Sequence, residues 1–182
     1  MYLGAYPKRV LAVMLLAVLA VVAAACTIIF EPDDVTVRSR IHLRFGIELS
    51  PIITVFEPTR GDGSVYRVAE DIQFRIRTTH SGYVTLSAKD PDGFVYVFAR
   101  NIPVTGGRTH VIPPVHAGYV FNLRPPRGLH LVRASFTPER TDRTIRYTDQ
   151  RGDHQWTQTI VTEIRPYPST VRDVAETSFY LR

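Results

Sequence analysis

The sequence predicts an all-β fold, an antiparallel β-sandwich of the immunoglobulin-like kind, behind an N-terminal helical segment. Three observations lead there. Apolar residues alternate with polar ones over long stretches, which is the period of a half-buried strand. Thirteen prolines and eleven glycines break the chain into short runs, with turn clusters about every 8 to 12 residues, the rhythm of sandwiches and barrels. After residue 34 no stretch has the apolar stripe of an amphipathic helix. The Cys…Trp…Cys spacing of antibody domains is missing, because the chain has a single cysteine.

The elements follow in order. In "VTVRSRIHLRFGIEL" the residues Val35, Val37, Ile41, Leu43, Phe45, Ile47 and Leu49 are apolar, and Thr36, Arg38, Arg40, His42, Arg44 and Glu48 lie between them. This predicts one long strand, or two joined at a bend near Gly46. Ile52 to Phe56 is a short apolar strand. "EDIQFRIRT" sets Ile72, Phe74 and Ile76 on one face and Gln73, Arg75 and Arg77 on the other. After the turn "HSG", Tyr83 to Ala88 and Phe94 to Phe98 form a hairpin about Asp90-Pro91-Asp92-Gly93. There Pro91 presets φ and Gly93 supplies the positive φ that closes the turn. Thr109 to Ile112, Tyr119 to Leu123, "LHLVRASF" (129–136), Thr144 to Tyr147, Trp156 to Ile164 and "DVAETSFYLR" (173–182) complete nine or ten expected strands. "RGD" at 151–153 reads as a hairpin tip. The strands after a break near 138–143 are too few to bury a core alone, so they are expected to complete one domain spanning 35–182, with a core at about 51–140 and added strands at 141–182.

Composition narrows the function classes. The chain has 182 residues, enough for one ordinary core. One cysteine permits neither an internal disulfide nor a thiolate zinc site. The net charge is +5, nearly all of its positive part arginine, and basic residues interleave with acidic ones without a basic run. Nucleic acid is therefore not an expected partner.

The N-terminus carries the strongest address. Lys8 and Arg9 precede "VLAVMLLAVLAVV" (10–22), then Ala23, Ala24, Ala25 and Cys26. A basic start, a short apolar run and small residues before a cut make a secretory signal peptide. Ala24-Ala25-Cys26 resembles the lipobox of bacterial lipoproteins, with Ala23 where Leu or Val is usual. The resemblance implies diacylglycerol on the Cys26 thiol, cleavage before Cys26 and acylation of the new amine. The expected division is a signal peptide at 1–25 and a lipidated cysteine with its tether at 26–34. Cleavage removes Lys8 and Arg9 and lowers the net charge from +5 to +3. Residues 10–30 carry no charge and are long enough to span a bilayer instead. Two or three acyl chains make a firm anchor. Thr27, where Asp would hold a lipoprotein at the inner membrane, points to the outer membrane.

A second resemblance covers Phe56 to Arg140. Tyr66, Val68, Glu70, Ile72, Phe74, Gly82, Tyr83, Asp90, Asp92, Gly93, Asn101, Pro126 and Gly128 fit a pattern Y-x-V-x-E-x-I-x-F, G-Y, D-P-D-G, N, P-x-G. The pattern resembles a bacterial envelope domain family of unknown function, with Ala69 where that family usually has glycine. The ending "RDVAETSFYLR" is similar to lipoproteins of surface-layered, stress-resistant bacteria. These likenesses imply a small extracellular β-sandwich and no particular reaction.

Chemistry is sparse. His42, His80, His110, His116, His130 and His154 form no close ligand pair, although His110 and His116 flank "VIPPV" and are the candidates for meeting. Asp90 and Asp92 lack the remaining acids of a calcium loop. No G-x-S-x-G elbow is present. The better candidates are aromatic: Phe94, Tyr96 and Phe98 on one face of a strand, with Trp156, as a partner-binding set. The expected function is that of an exported, lipid-anchored, non-catalytic structural or binding module of the cell envelope, placed at the outer membrane or cell surface, with no cofactor beyond the lipid on Cys26. Expected partners are the membrane, envelope proteins in an outer-membrane or surface-layer complex, and surface-layer or cell-wall polymers. The alternative is a metal-dependent or hydrolytic envelope enzyme using scattered His and Asp residues.

Overall fold

The computed structural model describes residues 46–142, 144–147 and 150–182. Cys26, the signal segment and most of the strand expected at 35–49 lie outside the described residues. The part of that strand inside them, from Gly46 on, is a turn and a coil, with Gly46 at φ +61.

The strands are β1 (Ile53–Pro58), β2 (Ser64–Tyr66), β3 (Asp71–Ile72), β4 (Phe74–Thr78), β5 (Gly82–Lys89), β6 (Val95–Val104), β7 (Thr109–Ile112), β8 (Phe121–Asn122), β9 (Gly128–Thr137) and β10 (Asp173–Leu181). They form a three-stranded sheet, β1-β4-β7, facing a five-stranded sheet, β2-β10-β9-β5-β6, with β3 and β8 paired as a small third sheet. Among the described residues, every pairing of these strands is antiparallel except β10 with β2. This is the expected all-β sandwich.

The alternation read from the sequence fixes which side chains meet between the sheets. Ile72, Phe74 and Ile76 are buried against Val84, Leu86 and Ala88 of β5, Val132, Ala134 and Phe136 of β9, and Phe179 and Leu181 of β10. Gly82 is placed by contact: a Cβ there would lie 2.5 Å from the Thr137 carbonyl oxygen and 2.6 Å from the Phe136 ring. Asp173 ties the two sheets together, its Oδ2 accepting the Ile52 and Ile53 amides at 2.8 and 2.7 Å and its Oδ1 accepting the Val174 amide at 2.8 Å.

The other face of the five-stranded sheet is covered by a helix. Gly152–Ile164 is α1, so the strand expected from Trp156 to Ile164 is corrected to a helix. Its buried residues Trp156, Ile160, Val161 and Ile164 recur at helical spacing and join Leu49, Val95, Tyr147 and Val174 in a second core. Six of the nine residues in "WTQTIVTEI" are β-branched, which favours strand by local preference. Packing overrides that preference. The wholly buried Trp156 donates from Nε1 to Ser87 Oγ at 2.9 Å, and the Arg133 guanidinium stacks on it at 3.8 Å.

Two further expectations change with the helix. "RGD" is not a hairpin tip: Arg151 is the residue before α1, and the Gly152 amide donates to the Gly93 carbonyl at 2.9 Å. Residues 144–147 form no strand. Instead Tyr147 reaches into a buried polar cluster in which Glu163 accepts from the Tyr147 hydroxyl and from Thr141 Oγ1, with Arg100 Nη1 at 3.4 Å. Burial, then the Glu163 charge, pushes the Tyr147 phenol well above its ordinary range. The hairpin turn at 90–93 forms as expected, with Gly93 at φ +86 and the Phe94 amide capped by Asp90 Oδ1 at 2.8 Å.

Candidate aromatic binding site

The site is built on β6, the edge strand of the larger sheet. Against β5, β6 carries two irregularities. Leu86 pairs with Ala99 and Ser87 with Val97, which leaves Phe98 as an extra residue, and Arg100 and Asn101 together span the place of Thr85. Such bulges re-aim side chains at a sheet edge. Asn101 takes φ +57, and its amide group bridges to Thr141, donating to the carbonyl at 3.0 Å and accepting the amide at 2.8 Å.

On one side of β6, Val95 and Val97 face the helix core. On the other, Tyr96 and Phe98 stand beside β8. Phe98 and Phe121 meet edge to face at 4.9 Å, Phe98 lies 5.9 Å from Phe74, Tyr96 lies 6.3 Å from Phe98, and Tyr119 lies 5.9 Å from Phe121. The rings run from the core, where Phe74 is buried, to a surface where Tyr119 and Tyr96 are 51% and 40% exposed. Edge-to-face packing at these separations is the favoured aromatic geometry.

Beneath Tyr96 and Phe98 lies a cavity of about 230 Å³ between the five-stranded sheet and the β3–β8 pair, floored by Phe74, Ala88 and Val132. Burial, then the Asp90 charge, pushes the Tyr96 phenol up to about 12, so it stays a neutral hydrogen-bonding group at physiological pH. Across Ile72 and Val120 is a wider polar cleft of about 410 Å³, bordered by Arg60, Asp71 and Gln73. A broader depression of about 770 Å³ on α1 is lined by His154, Thr157, Gln158, Thr162 and Arg165 and has no aromatic wall.

The structure brings together Tyr96 and Phe98 of the expected aromatic set and separates the other two. Phe94 lies just before β6, bridged to Arg151 and 41% exposed, with the Arg151 guanidinium 4.0 Å over its ring. Trp156 is fully buried in the second core and belongs to the interior. Tyr119 and Phe121 complete the site and were not in the expected set. Their signal was the alternation Tyr119, Phe121, Leu123 beside the exposed Val115 and Val120.

His42 lies outside the described residues, and the described histidines stand elsewhere. His110 Nε2 contacts the Thr105 amide at 2.9 Å, and His130 is buried, stacked on Phe179 at 4.9 Å. Among the described residues no three His, Cys, Asp or Glu side chains gather into a group able to hold a metal ion. No described helix is long and apolar enough to cross a membrane.

The positions of the quoted pattern are fold devices. Tyr66 packs on Phe179 at 5.8 Å. Glu70 Oε2 accepts the Arg67 amide at 2.7 Å across a turn in which Ala69 has φ +70. Gly128 stands so close to Pro91 that a Cβ would lie 2.8 Å from the proline ring.

The family model described as "Domain of unknown function (DUF4384)" matches residues 65–140, from β2 through β9. That span includes the aromatic site and excludes α1 and β10. No curated protein and no solved structure matches the chain.

Proposed function

We propose that this chain, with a domain of unknown function over 65–140, is an exported lipoprotein. Its sandwich works as a non-catalytic binding module of the cell envelope. The observation that carries the binding role is the half-open aromatic cluster of Tyr96, Phe98, Tyr119 and Phe121 above an apolar cavity. Such a hollow with a few polar groups at its rim is the usual form of a binding site. Several pattern residues support the reading by building the scaffold that presents the cluster: Glu70 and Gly93 hold turns, Asn101 a bulge, and Gly82 and Gly128 close contacts. The anchor is the lipid on Cys26, which sets the module at the outer membrane or cell surface, as an accessory subunit of an envelope or surface-layer complex.

The test of the anchor is metabolic labelling with an alkyne palmitate, comparing wild type with Cys26→Ser. Wild type takes up label and begins at residue 26, and Cys26→Ser is unlabelled and leaves the membrane fraction. A wild-type protein that is unlabelled or keeps residues 1–25 overturns the anchor. Co-purification from native membranes identifies the complex.

A further inference from the structure

We propose that the cavity beneath Tyr96 and Phe98 is a binding site for one neutral six-membered ring, aromatic or alicyclic, of a small molecule. The inference deepens the binding-module reading and rests on it.

Size is the first argument. A dry apolar cavity of roughly 150 Å³ accepts benzene. The cavity here is about 230 Å³, ample room for one ring with a substituent, whereas two fused rings fill it with no slack.

Polarity is the second. Of the side chains lining it, only Tyr96 and Asn122 are polar. The Asn122 amide nitrogen is already spent on the Ala69 carbonyl at 2.8 Å and on Asp71 Oδ1 at 3.1 Å. Water against the floor finds only apolar walls and is readily displaced, and a charged guest meets no counter-charge among the lining side chains. A neutral apolar guest suits both conditions.

Shape is the third. Phe98 and Phe121 stand edge to face at 4.9 Å, so a third ring between Phe98 and the floor finds the same favoured contacts. Phe74, Ala88 and Val132 beneath are at most 2% exposed, so the inner side of the ring rests on a dry apolar floor while its outer edge stays at the open rim. At the rim, Val120 is 61% and Tyr96 40% exposed, which gives a way in and a hydroxyl to hydrogen-bond a polar substituent.

The test uses the full chain as cells produce it, held in lipid nanodiscs, with p-cresol as the neutral probe, benzoate as the charged one and 2-naphthol as the larger one. Scanning calorimetry on wild type is expected to show Tm raised by about 3 °C at millimolar p-cresol, with no rise from benzoate. Ala88→Leu fills the floor and is expected to lose most of the shift. Phe98→Ala widens the cavity and is expected to turn the preference toward 2-naphthol by several fold, a readout that stands even if Ala88→Leu fails to fold. No shift in wild type, an equal shift with benzoate, an equal shift in a folded Ala88→Leu, or an unchanged preference in Phe98→Ala overturns the proposal. Loss of the Cys26 label leaves these shifts untouched, so failure of the anchor and failure of the ring site are told apart.

Discussion

Ala69 holds φ +70, a conformation that costs a side chain with a Cβ about 1 kcal/mol. The turn is held regardless, by the Arg67 amide on Glu70 Oε2 and the Ala69 amide on the Leu123 carbonyl at 2.8 Å. Ala69→Gly is therefore expected to stabilise the protein by roughly 0.5 kcal/mol, the relieved strain being offset in part by the freer unfolded chain. A urea midpoint that moves down would show that Ala69 is not strained. An alanine between Val68 and Glu70 gives no local sign of a positive φ, so this strain was not legible in the sequence. Asn101 shows the converse: the sequence displayed an asparagine in the right place, while its buried bridge to Thr141, 40 positions on, depends on a bulge that no local pattern announces.

At the scale of elements, period two marks β4, and in β5 and β9 apolar residues alternate with polar ones along the strand even though both faces of those two strands are covered. It failed for α1. A β-branched sequence became helical because its stripe of Trp156, Ile160 and Ile164 had a sheet face to cover. The signal was present as a spacing of four, but local preference spoke against it. Trp156→Ala is expected to cost about 3–5 kcal/mol, since it empties the centre of the second core and leaves the stacked Arg133 uncovered on that side. Denaturant unfolding followed by circular dichroism measures it. A loss under about 1 kcal/mol would mean that α1 is not essential to the sheet. The aromatic site was half legible for a related reason. Tyr96 and Phe98 share a strand, but the approach of Phe121 is set by the short β3–β8 pairing, which only the fold creates.

For the whole molecule, titration sets the limits of stability. Partial burial works to raise the Asp62 carboxyl, but hydrogen bonds from Thr177, from the Ser178 amide and hydroxyl and from the Gly63 amide outweigh it and hold the group below 3.8. A depressed folded value gives stability that is complete above the unfolded one and is lost as pH falls through the folded one. At the other end, Tyr96 is raised from 10.0 to about 12, so its contribution is complete below pH 10 and fades as pH climbs toward 12. Thermal melts against pH are expected to show a plateau from about pH 5 to 10 with falls on both sides. In Asp62→Asn the acid fall should be shallower, and an identical acid limb would remove Asp62 from the account.

The place of β10 has a consequence for delivery. This strand follows all the others along the chain, yet it runs between β9 and β2 inside the larger sheet, and its first residue, Asp173, clasps the amides of Ile52 and Ile53. A polypeptide threaded through a narrow channel with its N-terminus leading therefore cannot close its body until residue 181 has come through. On the proposed export route, completion of the larger sheet coincides with release of residue 181.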